Sequence, residues 1–305
     1  MRLLTFARDS DRAPRVGVLT EEGRVLDIEQ EARRAGRPLP FDPADMVSLI
    51  EAGQPALDTV RELAMAARGT GTPLERVRVL APIPRPRKNV FCIGWNYLEH
   101  FAEGQGFRPA GQELPEHPVF FTKPPTSVIG PYDPIPFDPA VSEKIDWEVE
   151  LAVVIGPGGK NIPEARAYEH VFGYTVLNDV SARDLQRRHG GQWFKGKSLD
   201  GACPIGPWIV TADELDPNNL RVMTRVNGVV KQDSNTRHFY FKIPRIIAEL
   251  SLGMTLEPGD IISTGTPQGV GFARTPPEFL KPGDLLETEI EGIGVLRNRV
   301  ERVGG

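Results

Sequence analysis

The chain has 305 residues, of which 40% are hydrophobic and 25% are charged, and its formal net charge is −5 at pH 7. This composition excludes a disordered protein, and an acidic chain without an extended run of Lys or Arg excludes a nucleic-acid-binding surface. The 31 Gly and 29 Pro residues favour many turns and short strands over a helical bundle.

The cysteines and the hydropathy pattern predict the cellular environment. Cys92 and Cys203 are the only cysteines, so no disulfide framework is needed and a reducing compartment fits. The N-terminal segment is too short and too charged for a signal peptide, and no apolar run approaches the ~20 residues of a membrane-spanning helix. We therefore expect a cytoplasmic protein with neither a membrane nor a nucleic-acid partner.

Residues 1–80 are predicted to form a small N-terminal α/β domain. Alternating apolar residues predict three strands, over residues 3–6, 16–19 and 25–28. Apolar residues at helical spacing, each set followed by glycine, predict helices over residues 44–52 and 56–67. The Pro-rich segment 80–87 then interrupts regular structure, so we place a domain boundary there.

Residues 89–303 are predicted to form a second, larger domain made mainly of strands. Its strand-like runs are residues 90–93, 119–122, 149–155, 174–177, 208–211 and 220–226. Asn227-Gly228 predicts a two-residue hairpin turn. Two Pro-Gly-Asp turns, at 258–260 and 282–284, each lead into a further strand. The expected fold is mixed α+β and mainly β, with a rolled sandwich or barrel-like sheet.

The segment 94–104 contains a candidate acid–base pair. Asn96 is predicted to cap a short helix that ends at Gly104. His100 and Glu103 then share one face of the helix, where a carboxylate can hold and polarise an imidazole that acts as a general base. The same spacing is also typical of an ordinary solvated pair, so both interpretations stay open on this pattern alone.

Three carboxylates predict a divalent-metal site. Glu148 and Glu150 alternate along a strand and so point to one face, roughly 7 Å apart. Asp179 follows another apolar run, and pairing of the two strands would bring it beside them. Buried like charges cost several kcal/mol unless they are paired or metal-bound. Oxygen ligands without nearby Cys or His suit Mg²⁺, Mn²⁺ or Ca²⁺. A half-exposed strand shows the same alternation, and this second interpretation also stays open.

Two glycine-rich segments are candidate ligand-binding loops. In residues 187–201, Lys195 or Lys197 is placed to neutralise charge that develops on a substrate oxygen, although a solvated surface loop has the same composition. Residues 263–271 lack the Gly-Lys-Ser/Thr ending of a phosphate-binding loop, which disfavours nucleotide binding. Thr266 and neighbouring backbone N–H groups are instead candidates to bind a carboxylate.

Five motifs in order resemble those of the fumarylacetoacetate hydrolase family, near its bacterial hydroxymuconate isomerase and acylpyruvase-like branch. They are Gly-x-Asn-Tyr-x-x-His at 94–100 followed by Glu103, Glu-x-Glu at 148–150, Asn-Asp-Val-Ser-Ala-Arg-Asp at 178–184, Trp-Phe-Lys-Gly-Lys-Ser at 193–198 and Thr-Gly-Thr-Pro-x-Gly-Val-Gly at 264–271. Residues 1–80 carry no motif of this kind. Residues 235–242 are more aromatic and basic than is usual at this position.

The resemblance implies a role for each candidate residue. Glu148, Glu150 and Asp179 would bind Mg²⁺ or Mn²⁺, with Ca²⁺ as a third option. His100 and Glu103 would activate water, and Lys197 would stabilise developing charge. Residues implied to contact the substrate are Arg183, Gln186, Thr266 and Lys123. We also expect residues 101–117 to form a lid over the site.

The implied activity is metal-dependent hydrolysis of a C–C bond in a 2,4-dioxo acid of the fumarylacetoacetate or acylpyruvate type, through a metal-bound enolate. The same site would also suit an isomerase of 2-hydroxyhepta-2,4-diene-1,7-dioate or an oxaloacetate-type decarboxylase, and a sugar-acid dehydratase is a further alternative. The expected partner is a small dicarbonyl or 2-oxo acid, and the resemblance implies a homodimer.

Overall fold

The computed structural model describes residues 1–8, 12–105, 111 and 113–303. Its strands are Arg2–Ala7 (β1), Arg15–Leu19 (β2), Arg24–Asp27 (β3), Thr72–Pro73 (β4), Arg78–Val79 (β5), Val90–Gly94 (β6), Val119–Lys123 (β7), Val128–Ile129 (β8), Ile135–Phe137 (β9), Ile145–Asp146 (β10), Val149–Ile155 (β11), Gly159–Lys160 (β12), Val171–Asn178 (β13), Ser181–Ala182 (β14), Cys203–Thr211 (β15), Arg221–Val226 (β16), Val229–Asn235 (β17), Thr255–Leu256 (β18), Ile261–Ser263 (β19), Leu285–Ile290 (β20) and Gly294–Arg302 (β21). The α-helices are Ile28–Arg34 (α1), Met46–Ala66 (α2), Leu98–Glu103 (α3), Arg183–Arg188 (α4), Phe194–Lys197 (α5) and Ile243–Ser251 (α6). Short 3₁₀ helices lie at Leu74–Arg76, Pro125–Ser127, Glu164–His170, Ala212–Glu214, Thr236–His238 and Gly271–Ala273.

The largest sheet joins the N-terminal strands to the rest of the molecule. Its strand order is β4-β3-β2-β1-β15-β13-β11-β19-β6-β7, with β5 paired to β1 and β8 paired to β15. β1 and β15 are antiparallel neighbours, with Arg2 opposite Val210. The division into domains 1–80 and 89–303 stays a prediction, and the structure shows that backbone pairing crosses it.

A second sheet packs beside the first and carries the predicted hairpin. Its order is β17-β16-β20-β21-β9. Asn227 and Gly228 connect β16 to β17 with φ angles of 52° and 78°, the conformation that a tight two-residue hairpin requires. The mixed, strand-rich fold is confirmed, and the sheets described in the structure stay open and do not close into a barrel.

The N-terminal helices agree with the prediction in part. The two predicted helices are both present and together make up α2, where the non-helical backbone of Gly53 (φ 64°, ψ −148°), two residues before Pro55, separates them. Helix α1 was not predicted. It begins where β3 ends, because the Asp27 carboxylate accepts a hydrogen bond from the N–H of Gln30 and caps the helix.

Asn96 does not cap helix α3, contrary to the prediction. The residue before the helix is Tyr97, and the Asn96 side chain is fully buried. Its amide donates to the carbonyls of Phe241 and Thr264, and its oxygen accepts from the Phe241 N–H. The polar atoms of a buried amide group need hydrogen-bond partners, and Asn96 finds them in two distant segments. Its hydrogen bonds therefore connect the turn before α3 to these segments.

The core spans the predicted domain boundary. One cluster of fully buried side chains includes Leu3 of β1, Leu49 and Val60 of α2, Ala152 of β11 and Ile209 of β15. Apolar contacts therefore hold the N-terminal elements against the large sheet. Among the described residues, no helix has the length and apolar character needed to cross a membrane.

Truncation of Leu3 tests whether the two parts unfold together. Leu3 is fully buried and lies opposite Ile209 of β15, so Leu3→Ala should lower the free energy of unfolding by about 2–5 kcal/mol. We expect one urea transition that coincides by circular dichroism and tryptophan fluorescence, since all four tryptophans lie beyond residue 90. Leu252→Ala, whose side chain is 71% exposed, is the control and should change stability by less than about 0.5 kcal/mol. Two separate transitions, with only part of the fluorescence change in the first because Trp208 packs against Leu4 and Phe6, would show an independent N-terminal domain.

Candidate metal centre and acid–base site

Strand pairing assembles the three predicted carboxylates. β11 and β13 are antiparallel neighbours with Val149 opposite Asn178, so Glu148 and Asp179 flank that pair. The Asp179 N–H donates to the Glu148 carbonyl at 2.9 Å. One carboxylate oxygen from each of Glu148, Glu150 and Asp179 lies within 4.8 Å of the others. All three side chains are buried, which rules out the half-exposed strand.

Three cationic side chains surround these carboxylates. Lys197 Nζ donates to Glu148 Oε2 and Asp179 Oδ2, both at 2.7 Å. Arg183 Nη2 lies 2.6 Å from Glu148 Oε1. Lys123 Nζ donates to Asp179 Oδ1 at 2.7 Å and to the carbonyls of Val180 and Lys197. The burial of these negative charges is thus partly offset by direct ion pairs.

Glu150 has a different environment. It accepts hydrogen bonds from the Ser263 hydroxyl at 2.5 Å and the Gly265 N–H at 2.8 Å, which are both neutral donors. Burial raises the pKa of Glu150 well above its ordinary value, and the charges of Asp179 and Glu148 raise it further. Burial also acts on Glu148, but Lys197 and Arg183 outweigh it and hold its pKa below the ordinary value. Glu150 is therefore the carboxylate of the cluster whose charged form the protein alone stabilises least.

The donor set fits a divalent cation. It consists of three carboxylates with no His or Cys in the cluster, which suits Mg²⁺, Mn²⁺ or Ca²⁺ better than zinc or copper. The neutral partners of Glu150 do not compensate the negative charge of its ionised form, and a bound cation would neutralise that charge. Glu148, Glu150 and Asp179 are the residues that would hold it.

The predicted acid–base pair is formed. His100 Nδ1 lies 2.7 Å from Glu103 Oε1 within α3, and Glu103 Oε2 accepts from the Gly269 N–H at 2.8 Å. His100 is 8% exposed, so it is not an ordinary solvated residue. Because the carboxylate can only accept, Nδ1 carries the proton of a neutral imidazole and Nε2 is the atom that can take up another.

One cavity of about 120 Å³ is lined by His100 and by the carboxylates Glu148 and Glu150. Its polar wall includes His100, Glu148, Glu150, Arg183, Gln186, Arg187, Lys197 and Thr266. Its aromatic wall consists of Trp95, Phe121, Trp193 and Phe272. The cavity therefore combines charged groups with an apolar wall, as small-molecule sites commonly do. We call its charged part, which consists of Glu148, Glu150, Arg183 and Lys197, the cavity floor.

The remaining predicted residues occupy distinct positions. Lys197 is buried and lines the cavity whereas Lys195 is exposed, so Lys197 is the lysine of the glycine-rich loop that is placed to act on a substrate. Gln186 accepts from Arg183 Nη1 at 3.1 Å, and Thr266 Oγ1 accepts from Gln232 Nε2 at 2.8 Å. Lys123 lies behind Asp179 and is not among the cavity-lining residues of the described chain. In the predicted lid, residues 106–110 and 112 lie outside the described residues.

Sequence reasoning missed two fully buried polar residues. Asp146 is bonded to Arg183 Nε at 2.8 Å, and alternation with Glu148 and Glu150 was a signal that would have found it. Gln232 accepts from the Val149 N–H, between the two glutamates, and donates to Thr266. No local pattern marks Gln232, because its partners are distant in sequence.

The aromatic wall was also missed. Trp193 lies edge-to-face against Trp95, with ring centroids 4.8 Å apart, and against Phe121 at 5.4 Å. A Cβ atom at Gly94 would lie 2.2 Å from the Trp193 ring, so the ring closes directly on the backbone of β6. Glycine at position 94 makes this close approach possible.

Comparison with known proteins decides the family. The family described as fumarylacetoacetate (FAA) hydrolase C-terminal matches residues 89–301. The chain belongs to the fumarylacetoacetate hydrolase family. The resemblance drawn from the five motifs is confirmed.

Three relatives show the range of this similarity. The chain is 42% identical over 293 residues to oxaloacetate tautomerase YisK of Bacillus subtilis (strain 168), covering 93% of this chain and 95% of that protein. A putative HpcE protein from Mycobacterium smegmatis has a TM-score of 0.83 at 39% identity over the whole of both chains. Maleylpyruvate hydrolase from Sphingobium sp. SYK-6, in complex with manganese(II) ion and pyruvate, has a TM-score of 0.76 at 31% identity, again over both whole chains. The family therefore contains enzymes of more than one reaction type.

Isosteric replacement of Glu150 tests the metal centre. Glu150→Gln removes one charged ligand while keeping its size, so Mn²⁺ affinity measured by isothermal titration calorimetry should fall by more than about 100-fold, beyond the loss typical of outer-shell changes. Glu103→Gln is the matched control, since Glu103 bonds to His100 and Gly269 and belongs to no carboxylate cluster. Equal affinity in wild type and Glu150→Gln would contradict the assignment.

Proposed function

We propose that this protein is a divalent-cation-dependent tautomerase that interconverts the keto and enol forms of oxaloacetate or a closely related 2-oxo dicarboxylic acid. The observation that carries the proposal is the 42% identity to an oxaloacetate tautomerase over 93% of this chain. Glu148 and Glu150 of the buried carboxylate cluster line one cavity together with His100, which Glu103 contacts, and this arrangement supports the proposal. C–C hydrolysis, which the motifs favoured, becomes the second candidate.

Tautomerisation moves a proton between a carbon and an oxygen of the same substrate. It needs a base beside the carbon, stabilisation of the negative charge that develops on oxygen, and a route that returns the proton. When bound, the divalent cation supplies Lewis acidity, which makes the C–H next to a carbonyl more acidic. The protein must supply the base and hold the substrate in position.

His100 is suited to be the base. Its Nδ1 faces Glu103, so Nε2 is the acceptor, and the imidazolium that forms is stabilised by the adjacent carboxylate. Glu103 is in turn held by the Gly269 N–H. The proton taken from carbon is then delivered from Nε2 to oxygen, and no bond between heavy atoms breaks.

Lys197 is suited to stabilise the negative charge. Burial lowers the pKa of its ammonium, but Asp179 and Glu148 outweigh this and raise it above the ordinary value. Lys197 therefore keeps its positive charge inside the cavity. A fixed cation in a buried site stabilises developing charge without reorganisation, which is the most effective form of electrostatic catalysis.

The proposal is tested by following the ultraviolet absorbance of freshly dissolved enol-oxaloacetate. With Mg²⁺ or Mn²⁺, the wild type should accelerate conversion to the keto form, and His100→Asn should lower kcat by about 10²–10⁴-fold, the usual contribution of a general base. Glu99→Gln lies on the same short helix but on its exposed side, and should leave the rate unchanged. A wild-type rate equal to the uncatalysed rate would reject the proposal.

The second candidate is hydrolysis of an acylpyruvate-type C–C bond. The similarity to maleylpyruvate hydrolase favours it, and His100 Nε2 is equally able to take a proton from water. The hydroxyl oxygen would add to the distal carbonyl carbon, the C–C bond would break, and its electron pair would leave with the pyruvate fragment as an enolate that is then protonated. This reaction consumes one water molecule and yields two acids.

Pyruvate release separates the candidate reactions. A tautomerase yields no pyruvate from oxaloacetate, a decarboxylase yields pyruvate and CO₂, and a hydrolase yields pyruvate from an acylpyruvate. We expect metal-dependent enol loss from oxaloacetate without pyruvate, measured by a lactate dehydrogenase coupled assay. Stoichiometric pyruvate from acetylpyruvate, without oxaloacetate turnover, would favour the second candidate. The homodimer stays a prediction for light scattering.

A further inference from the structure

Asp146 is a fully buried carboxylate to which the reaction schemes above give no role. It is the last residue of β10, and each of its oxygens accepts two hydrogen bonds. Oδ1 accepts from the N–H groups of Trp147 at 2.8 Å and Gly271 at 2.7 Å. Oδ2 accepts from Arg183 Nε at 2.8 Å and the Phe272 N–H at 3.0 Å. Four donors from three parts of the chain thus converge on one side chain.

The first part is helix α4. Arg183 begins this helix, and its guanidinium joins Asp146 to Glu148 and Gln186. The same guanidinium lies 4.5 Å from the centre of the Phe272 ring. Asp146 therefore sets the direction of the arginine that enters the cavity floor.

The second part is the loop 269–272, and this loop also contacts the acid–base pair. The Gly269 N–H donates to Glu103, and the Gly269 carbonyl accepts from the Trp147 indole N–H at 3.2 Å. Two residues later the loop donates to Asp146 through Gly271 and then through Phe272. One short loop thus connects Asp146 to the carboxylate that orients His100.

The loop backbone is pressed against Asp146. A Cβ atom at Gly271 would lie 2.1 Å from the Glu278 carbonyl oxygen and 2.7 Å from Asp146 Oδ1. No side chain fits between the loop and the carboxylate without displacing one of them. The close approach therefore requires a glycine at position 271, next to the carboxylate of Asp146.

We propose that Asp146 is a positioning residue that holds Arg183 and the loop 269–272 in a fixed relation, and so keeps the cavity floor aligned with the His100–Glu103 pair. The role concerns geometry and holds for tautomerisation and hydrolysis alike. Asp146 touches neither substrate nor cation in this scheme and acts through Arg183 and Glu103.

The charge and the symmetry of the carboxylate are both needed for this role. All four partners are hydrogen-bond donors. An amide in place of the carboxylate would point its N–H₂ group, which is also a donor, at two of them. Asp146→Asn keeps the size of the side chain but necessarily breaks either the Trp147 and Gly271 contacts or the Arg183 and Phe272 contacts. The substitution therefore tests positioning with little change in volume.

The experiment combines kinetics with hydrogen exchange measured by mass spectrometry. In Asp146→Asn we expect amide exchange in residues 269–273 and 183–188 to rise at least about tenfold while the rest of the chain keeps its wild-type exchange. The kcat/KM should fall by about 100-fold, the loss that a misplacement of about 1 Å causes, while Mn²⁺ still binds. Exchange needs no substrate, so this measurement decides the proposal even if the proposed reaction is wrong.

The matched control is Asp27→Asn. Asp27 is also buried, pairs with Arg8 and accepts a backbone N–H, but it ends β3, which β2, β1, β15 and β13 separate from β11 in the largest sheet. It should leave kcat/KM unchanged and raise exchange only in α1. If Asp146→Asn does not fold, Gly271→Ala moves the loop without removing the Asp146 charge and should give the same local pattern.

Two results would overturn the proposal. One is wild-type exchange and kcat/KM in the folded variants, which would show that the contacts do not position anything. The other is an increase of exchange spread evenly over the chain, with kcat/KM per folded molecule unchanged, which would show general structural support only.

Discussion

The antiparallel pairing of β11 with β13 is the constraint on which the site depends. It places Glu148, Glu150 and Asp179 in a buried cluster whose oxygens lie within 4.8 Å of one another. At an effective dielectric constant of about 20, two unit charges at that distance repel by roughly 3 kcal/mol. The fold must therefore bring positive charge to the cluster, and much of the surrounding structure follows from this requirement.

The positive charges come from segments that follow the strands. Lys123 ends β7, Arg183 begins α4 and Lys197 ends α5, and each forms an ion pair with at least one of the three carboxylates. The hydrogen-bond donors to Glu150 described in the structure are neutral and come from Ser263, which ends β19, and from Gly265. The negative charges of Glu148 and Asp179 are thus compensated by ion pairs, whereas that of Glu150 is not. A divalent cation would therefore add most stability beside Glu150.

The acid–base pair depends on the same framework through its backbone partner. Glu103 is held by the Gly269 N–H, and the loop that contains Gly269 is anchored by Trp147 and Asp146, immediately before Glu148 and Glu150. Residues 146–150 therefore supply two of the three proposed cation ligands and also the anchors of the loop that holds Glu103. A change in this strand would move both halves of the site together.

The sequence predicted what local patterns can encode. Alternation along β11 placed Glu148 and Glu150 on one face, and spacing within α3 paired His100 with Glu103. It failed where partners are far apart in the chain. Asp146 bonds to Gly271, 125 positions away, and Gln232 bonds to Val149, 83 positions away. Asn96 appeared to be a helix cap although its partners are Phe241 and Thr264. Such partners are set by sheet order, which no single segment specifies.

The same reasoning explains why the motifs favoured hydrolysis while the comparisons favour tautomerisation. Both reactions need the carboxylate cluster, Lys197 and a base, and these residues are what the motifs contain. In the proposed schemes, tautomerisation begins with a proton taken from carbon, whereas hydrolysis begins with a proton taken from water and goes on to break a C–C bond. That choice depends on how the cavity admits water beside the substrate, and the aromatic wall of Trp95, Phe121, Trp193 and Phe272 limits the polar surface available to water there. A nucleophilic water molecule would find hydrogen-bonding partners only on the polar wall, because an apolar surface offers it none. Hydrolysis therefore requires an accessible part of the polar wall beside the bound substrate, whereas tautomerisation does not.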